Sequence, residues 1–223
     1  MKFDTKVVRS GISPDPSTGA IVPPIYQSAT YVLEEIGKDK GYDYTRASNP
    51  TREILEIINN EDKSVADSIV EALPDIQRFI DALIVRFQHG GKLFYIGSGT
   101  SGRLGVLDAA ECPPTYRTDP KMVQGIIAGG YEALIRSIEG AEDIPDEGVK
   151  AVLDYGVTKK DAVLGITASS STPFVLGSLK KAKKINALTG LLICNKPIEL
   201  PYVDHLLSII VGPEIITGST RMK

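Results

Sequence analysis

Hydroxyls set among glycines are the first residues in this chain with chemistry to offer. Ser98, Thr100 and Ser101 alternate with Gly97, Gly99 and Gly102, directly after GKLFYI at 91–96, an apolar run rich in strand-forming residues. Such a loop lets backbone N–H groups converge on a ligand oxygen, and a following helix aims its positive end at the same point. A phosphate is the natural occupant. No lysine follows the glycines as a nucleotide-phosphate loop requires, and their spacing is not that of a dinucleotide fingerprint, so a sugar phosphate fits better than a nucleotide. One helix further on, the run closes on a carboxylate, Glu111, within DAAECPPT. A second hydroxyl run, Ser169, Ser170, Ser171 and Thr172, precedes Pro173 at the start of another helical stretch. Taken alone, these side chains are explained by helix capping as well as by anion binding.

The elements that must hold these loops follow from the spacing of apolar residues. From Ile54 to about Gly90 the period is helical: Ile54, Leu55, Ile57 and Ile58, then Val65, Ile69 and Val70, then Ile76, Phe79, Ile80, Leu83, Ile84 and Phe87, with Pro74 expected to break the run or start a new helix. Beyond it, strands are predicted at Lys92–Ile96, Val123–Ala128, Ala162–Thr167, Ala187–Cys194 and Leu206–Val211. Helices are predicted around Leu104–Glu111, Tyr131–Glu139, Asp146–Tyr155 and Pro173–Lys184. This alternation reads as an α/β fold, a three-layer sandwich with a mainly parallel five-stranded sheet. Ligands collect at the carboxyl ends of strands in such sheets, which is where both hydroxyl loops and Gly129–Gly130 fall.

Bulk properties exclude several function classes. A net charge of −3 and a pI near 5.5 argue against nucleic acid as a partner. Lys180, Lys181, Lys183 and Lys184 read as the solvated end of a helix, favoured by its dipole. Cys112 and Cys194 are the only cysteines in the 223 residues and form no CxxC pair, so neither a disulfide framework nor a zinc site is expected; Cys112 reads as a small buried thiol. With no basic-then-apolar leader and no apolar stretch of ~18 residues, the chain reads as a cytoplasmic protein with no membrane partner.

From about Glu53 to Lys223 the sequence resembles the N-acetylmuramic acid 6-phosphate etherases of the sugar-isomerase (SIS) superfamily. The blocks that carry the resemblance are DAAECPPT at 108–115, GIIAGG at 125–130, IEGAED at 138–143, LLICN at 191–195 and GPEIITGSTRMK at 212–223. The resemblance implies removal of the lactyl ether of N-acetylmuramic acid 6-phosphate, giving N-acetylglucosamine 6-phosphate and D-lactate in cell-wall recycling. Such a reaction takes the proton at carbon 2, expels lactate from carbon 3 and adds water to the resulting enal, with an acid and a base but no metal or cofactor. It assigns Glu111 as the acid and Glu142 as the base, leaving structural roles to Asp108, Glu139 and Asp143. It assigns the phosphate to Ser98, Thr100, Ser101, Ser169, Ser171 and Thr172, and implies a homodimer. The family pattern has glycine and arginine where this chain has Ser170 and Ser171, a change expected to weaken phosphate binding. Etherases continue beyond the equivalent of Lys223, so the resemblance also implies missing C-terminal helices, whose loss would expose apolar surface and open the cleft to water. A phosphosugar-binding regulatory module is the alternative.

Residues 1–52 differ in kind, with Pro14, Pro16, Pro23, Pro24 and Pro50 and no sustained period, and read as an extended arm before a domain spanning 53–223. FDTKVVRSG, TGAIVPPIYQSATYVLEE and GYDYTRASNPTRE are similar to the N-terminal arm of pyridoxal-phosphate enzymes of the cystathionine γ-synthase and methionine γ-lyase family. That resemblance implies cofactor-phosphate roles for Tyr44 and Arg46. The large domain carrying that family's Schiff-base lysine has no counterpart after Glu53, so a sulfur amino acid lyase rests on the arm alone. The expectation is a fusion of two unrelated pieces.

Overall fold

The computed structural model describes residues 50–212, with side chains from residue 55. Two compact units divide the chain: Met1–Asp67 with Val211–Lys223, and Ser68–Ile210. What is described of the first is essentially the opening turns of helix α1 (Pro50–Gln88). This helix passes without a break through residues 52–53, where the change in composition set the expected domain boundary. It also passes through Pro74, which neither ends the helix nor starts another. Proline removes one N–H and crowds the carbonyl four residues back, but beyond it the stripe of Ile76, Phe79, Leu83 and Phe87 packs against the sheet. Ile80 and Ile84, grouped with that stripe by spacing, are each 45% exposed.

In the second unit a sheet of five parallel strands runs in the order β2-β1-β3-β4-β5. The strands are β1 (Leu93–Gly97), β2 (Val123–Ile127), β3 (Ala162–Ile166), β4 (Leu188–Ile193) and β5 (His205–Ser208). All five strands predicted from sequence are present, within a few residues at their ends. Helix α2 (Gly99–Tyr116) links β1 to β2, α4 (Pro145–Asp154) precedes β3, and α5 (Pro173–Lys184) links β3 to β4. The region predicted helical at 131–139 holds only the single turn α3 (Glu132–Ile135). Helix α2 is longer than its apolar pattern, since it opens at Gly99 and keeps Pro113 and Pro114 in its final turns.

The period-two alternation of the strands explains the layers. Phe94, Ile96, Val163, Leu191 and Ile193 face Val152 of α4 and Phe174, Val175 and Leu179 of α5, all nearly or wholly buried. On the other face Leu93, Leu164, Leu188 and Leu207 meet Phe79 and Leu83 of α1. Helix α2 lies on this second face, where a Cβ added to Gly105 would come within 2.8 Å of the Tyr95 side chain. The order of the strands reverses at β1, with β2 on one side and β3 on the other, and the parallel register Gly97↔Ile166 brings the carboxyl ends of β1 and β3 side by side. This is the topological switch point, where open α/β sheets bind ligands.

Candidate active site

Two helix N-termini open at the switch point, and neither is capped by a side chain. Ser98 precedes α2 with an extended backbone and Thr172 precedes α5 likewise, and each lacks the usual bond back to its own helix. The first-turn N–H groups of an α-helix have no partner within it, so those of Gly99, Thr100 and Ser101 are open at this end of α2. Gly102 differs, since its N–H donates to Ser98 O at 3.1 Å. A Cβ on Gly97 would lie 2.7 Å from Gly102 N, and one on Gly102 would lie 2.6 Å from Ile127 Cγ1. These two glycines let the loop fold tightly onto itself and onto β2, which fixes where Ser98 sits.

Ser98 Oγ donates to Glu142 Oε2 at 3.0 Å, joining positions 44 apart in sequence. Glu142 belongs to a single 3-10 turn, Ala141–Asp143, that follows Gly140. Gly140 has φ of 73°, in the left-handed region that favours glycine, and its carbonyl accepts from Asp143 N. The IEGAED block thus carries its own turn geometry, and the turn delivers the carboxylate to the mouth of the β1 loop. Arg103 fastens the neighbouring segment to α2 by donating to Leu134 O and Arg136 O.

In the second loop the hydroxyls bond to one another. Thr167 Oγ1 and Thr172 Oγ1 are 2.7 Å apart, and Ser169 Oγ and Ser171 Oγ are 3.0 Å apart. Capping alone therefore does not account for this run. Thr167, buried at the end of β3, anchors the cluster and is not among the residues that pattern singles out; its one signal is its position immediately before ASSST. Ser170 has φ of 67°, and its hydroxyl donates to Ser169 O. A left-handed turn at this position is natural for glycine and strained for serine by about 1 kcal/mol, which matches the glycine of the etherase pattern there.

Glu111 stands elsewhere. It is exposed on α2, twelve residues beyond Gly99, so the helical rise carries it about 18 Å along the axis from the loop. The loops after β1 and β3 carry Ser98, Thr100 and Ser101 on one side of the switch point and Ser169, Ser171 and Thr172 on the other, with Glu142 bonded to Ser98; Glu111 is not on either loop. Among the confusable carboxylates, Asp108 accepts a hydrogen bond from Tyr95, and Glu139 accepts from Ser137 Oγ at 2.8 Å. Burial, then the Asp108 bond and charge, push the Tyr95 phenol well up. Cys112 is half-buried and Cys194 exposed, so neither is the buried thiol expected. Burial and then Asp108 raise the Cys112 thiol, away from nucleophilic thiolate. A cavity of 820 Å³ lies beside β2 and is lined by Gly130, Tyr131, Ile138, Ala141 and Glu147 rather than by the hydroxyl loops. The expected arm contacts Tyr44 and Arg46, and nearly all of the GPEIITGSTRMK block, lie outside the described residues.

Comparison with known proteins places these features in a family. The family model for the glucokinase regulatory protein N-terminal SIS domain matches residues 75–183, and that for Cys/Met metabolism PLP-dependent enzymes matches residues 4–67. An N-acetylmuramic acid 6-phosphate etherase of Geobacillus sp. (strain WCH70) is 49% identical over 174 residues, covering 78% of this chain and 59% of that protein. One of Christiangramia forsetii is 44% identical over 187 residues, covering 83% of this chain and 68% of its own. The chain thus spans roughly three-fifths of the length of such relatives. Among solved structures, a phosphoheptose isomerase from Francisella tularensis superposes with a TM-score of 0.54 at 19% identity, over 70% of this chain and 85% of that one, a likeness of fold.

Proposed function

This chain belongs to the N-acetylmuramic acid 6-phosphate etherase family, and from that membership we propose that it cleaves the lactyl ether of N-acetylmuramic acid 6-phosphate by elimination and hydration. The observation that carries the reading is the 3.0 Å bond from Ser98 to Glu142, because it holds a carboxylate beside the uncapped N-terminus of α2. A phosphate suits the first-turn N–H groups and the hydroxyls of Thr100, Ser101, Ser169, Ser171 and Thr172, while the one hydroxyl proton of Ser98 goes to Glu142. With the phosphate so held, the open-chain sugar presents carbon 2, acidified by the adjacent aldehyde, to Glu142. The base takes that proton, the carbon 3 to oxygen bond breaks, and Glu111 protonates the departing lactate oxygen. Water then adds across the enal at carbon 3, with the two glutamates in reversed roles, to give N-acetylglucosamine 6-phosphate.

The reading includes a homodimer in the cytoplasm, residues 53–223 acting as the phosphosugar domain and residues 1–52 as an arm outside the chemistry. No helix among the described residues is long and apolar enough to cross a membrane. A binding module without catalysis is favoured by one observation, the distance of Glu111 from the switch point within a single chain. Release of D-lactate from N-acetylmuramic acid 6-phosphate by the purified 223-residue chain separates the two readings. The etherase reading expects release that Glu142→Gln reduces by about 10²–10⁴-fold. Phosphosugar binding in a thermal shift, with no lactate above background, would leave the binding module.

A further inference from the structure

Glu142 reaches the β1 loop at the end of a segment that packing does little to hold. Between β2 and the 3-10 turn the chain forms one helical turn, α3, and otherwise no regular structure. Its footholds are small: Ala133 is buried and Ala141 half-buried against the core, whereas Tyr131, Ile135 and Ile138 stand exposed. Leu134, Ile138 and Gly140 border the 820 Å³ cavity beside β2 instead of filled core. Its backbone bonds, such as Ala133 N to Gly130 O and Arg136 N to Glu132 O, close turns within the segment itself. A base so carried needs a tie from outside, because a misplacement of ~1 Å can cost about 10² in rate.

Helix α2 supplies that tie. Arg103 Nε donates to Leu134 O at 3.3 Å, and its Nη2 donates to Arg136 O at 3.1 Å. Carbonyls at the end of a helical turn lack partners within it, and the rigid fork of one guanidinium reaches both. Arg103 stands at the opening of α2, next to Gly102, whose lack of a side chain seats the helix against Ile127 at the end of β2. The same helix end therefore grips the connection twice, through Arg103 soon after it leaves β2 and through Ser98 at Glu142. Resting on the etherase reading above, which makes Glu142 the base, we propose that Arg103 is a positioning residue for that base. It touches neither Glu142 nor the sugar; it fixes the path by which Glu142 arrives at Ser98. Both acceptors are neutral carbonyls, so the fork matters here and the charge does not. Nearby cations are engaged elsewhere, Arg136 with Glu132 at 3.0 Å and Lys150 with Glu147 at 3.9 Å.

Two variants and two measurements test this. Arg103→Ala is expected to lower kcat for lactate release about 10²-fold with little change in KM. Arg103→Lys keeps the charge and the stem but cannot bridge two carbonyls, and it guards against an alanine variant that fails to fold; its kcat is expected to fall about tenfold. Wild-type kcat in Arg103→Lys, or a rise in KM with kcat unchanged in either variant, would overturn the proposal while leaving the etherase reading intact. The second measurement does not depend on activity. Amide hydrogen exchange across residues 137–143 is expected to quicken about tenfold in both variants, with β1, β3 and α5 unchanged. Unchanged exchange in that segment would overturn the tie. Quicker exchange there with an inactive wild type would instead keep the tie and reject the etherase reading.

Discussion

Ser98 does something its own neighbourhood does not announce. In the sequence it belongs to a glycine-rich loop and reads as a phosphate ligand, yet its hydroxyl is turned toward Glu142. That partnership was not legible because it joins two loops through the positive φ of Gly140 and the tight fold of Gly97 on Gly102, neither of which leaves a local pattern. If Ser98 positions the base, Ser98→Ala should lower kcat by about tenfold with little change in KM. Ser98→Thr should restore much of the loss. A rise in KM with kcat unchanged would return Ser98 to the phosphate. Ser170 gives a second case, for its departure from the etherase pattern was visible in the sequence and its backbone cost was not. Ser170→Gly should stabilise the fold by about 1 kcal/mol by relieving the left-handed turn, and should tighten inorganic phosphate binding. Urea unfolding and a phosphate titration read the two effects.

The elements divide into those that pattern alone locates and those that packing decides. Short apolar runs between glycines or charges located every strand, and Pro173 marked the first residue of α5. The opening of α2 was hidden because GSGTSG reads as a turn; the chain folds it into helix because Gly97 and Gly102 can touch. The segment after Gly130 looked helical, but only one turn forms, and Arg103 holds its carbonyls from α2. At the far end, Lys183 of α5 pairs with Asp204 just before β5, and Asp204 also accepts from the N–H and hydroxyl of Thr189 in β4. Burial pushes the Asp204 carboxyl up, but these bonds outweigh it and leave its pKa below the ordinary 3.8. A carboxyl lowered on folding contributes stability above its unfolded pKa and loses it as pH falls through the folded one. Asp204→Asn should therefore cost about 1–2 kcal/mol near neutral pH. The difference from wild type should shrink only below pH 3.8, where the folded carboxyl titrates. A difference that stays constant to about pH 2 would show that charge is not what this cluster contributes.

At the scale of the molecule, the order β2-β1-β3-β4-β5 accounts for why one crevice collects both hydroxyl loops and a carboxylate from a third segment. Strand–helix alternation made the parallel sheet legible, but the neighbours of each strand depend on handed crossovers that composition does not encode. The same scale explains the distance of Glu111: a helix that starts in the site must run away from it, and Glu111 lies near its far end. The central claim is that two glutamates divide proton removal at carbon 2 from protonation of departing lactate. Its most direct measurement is hydrogen exchange at carbon 2 in deuterated water, followed alongside lactate release, for wild type, Glu142→Gln and Glu111→Ala. Glu142→Gln is expected to lose both, and Glu111→Ala to lose lactate release while keeping exchange. Equal loss of both activities in Glu111→Ala, or exchange surviving in Glu142→Gln, would contradict it.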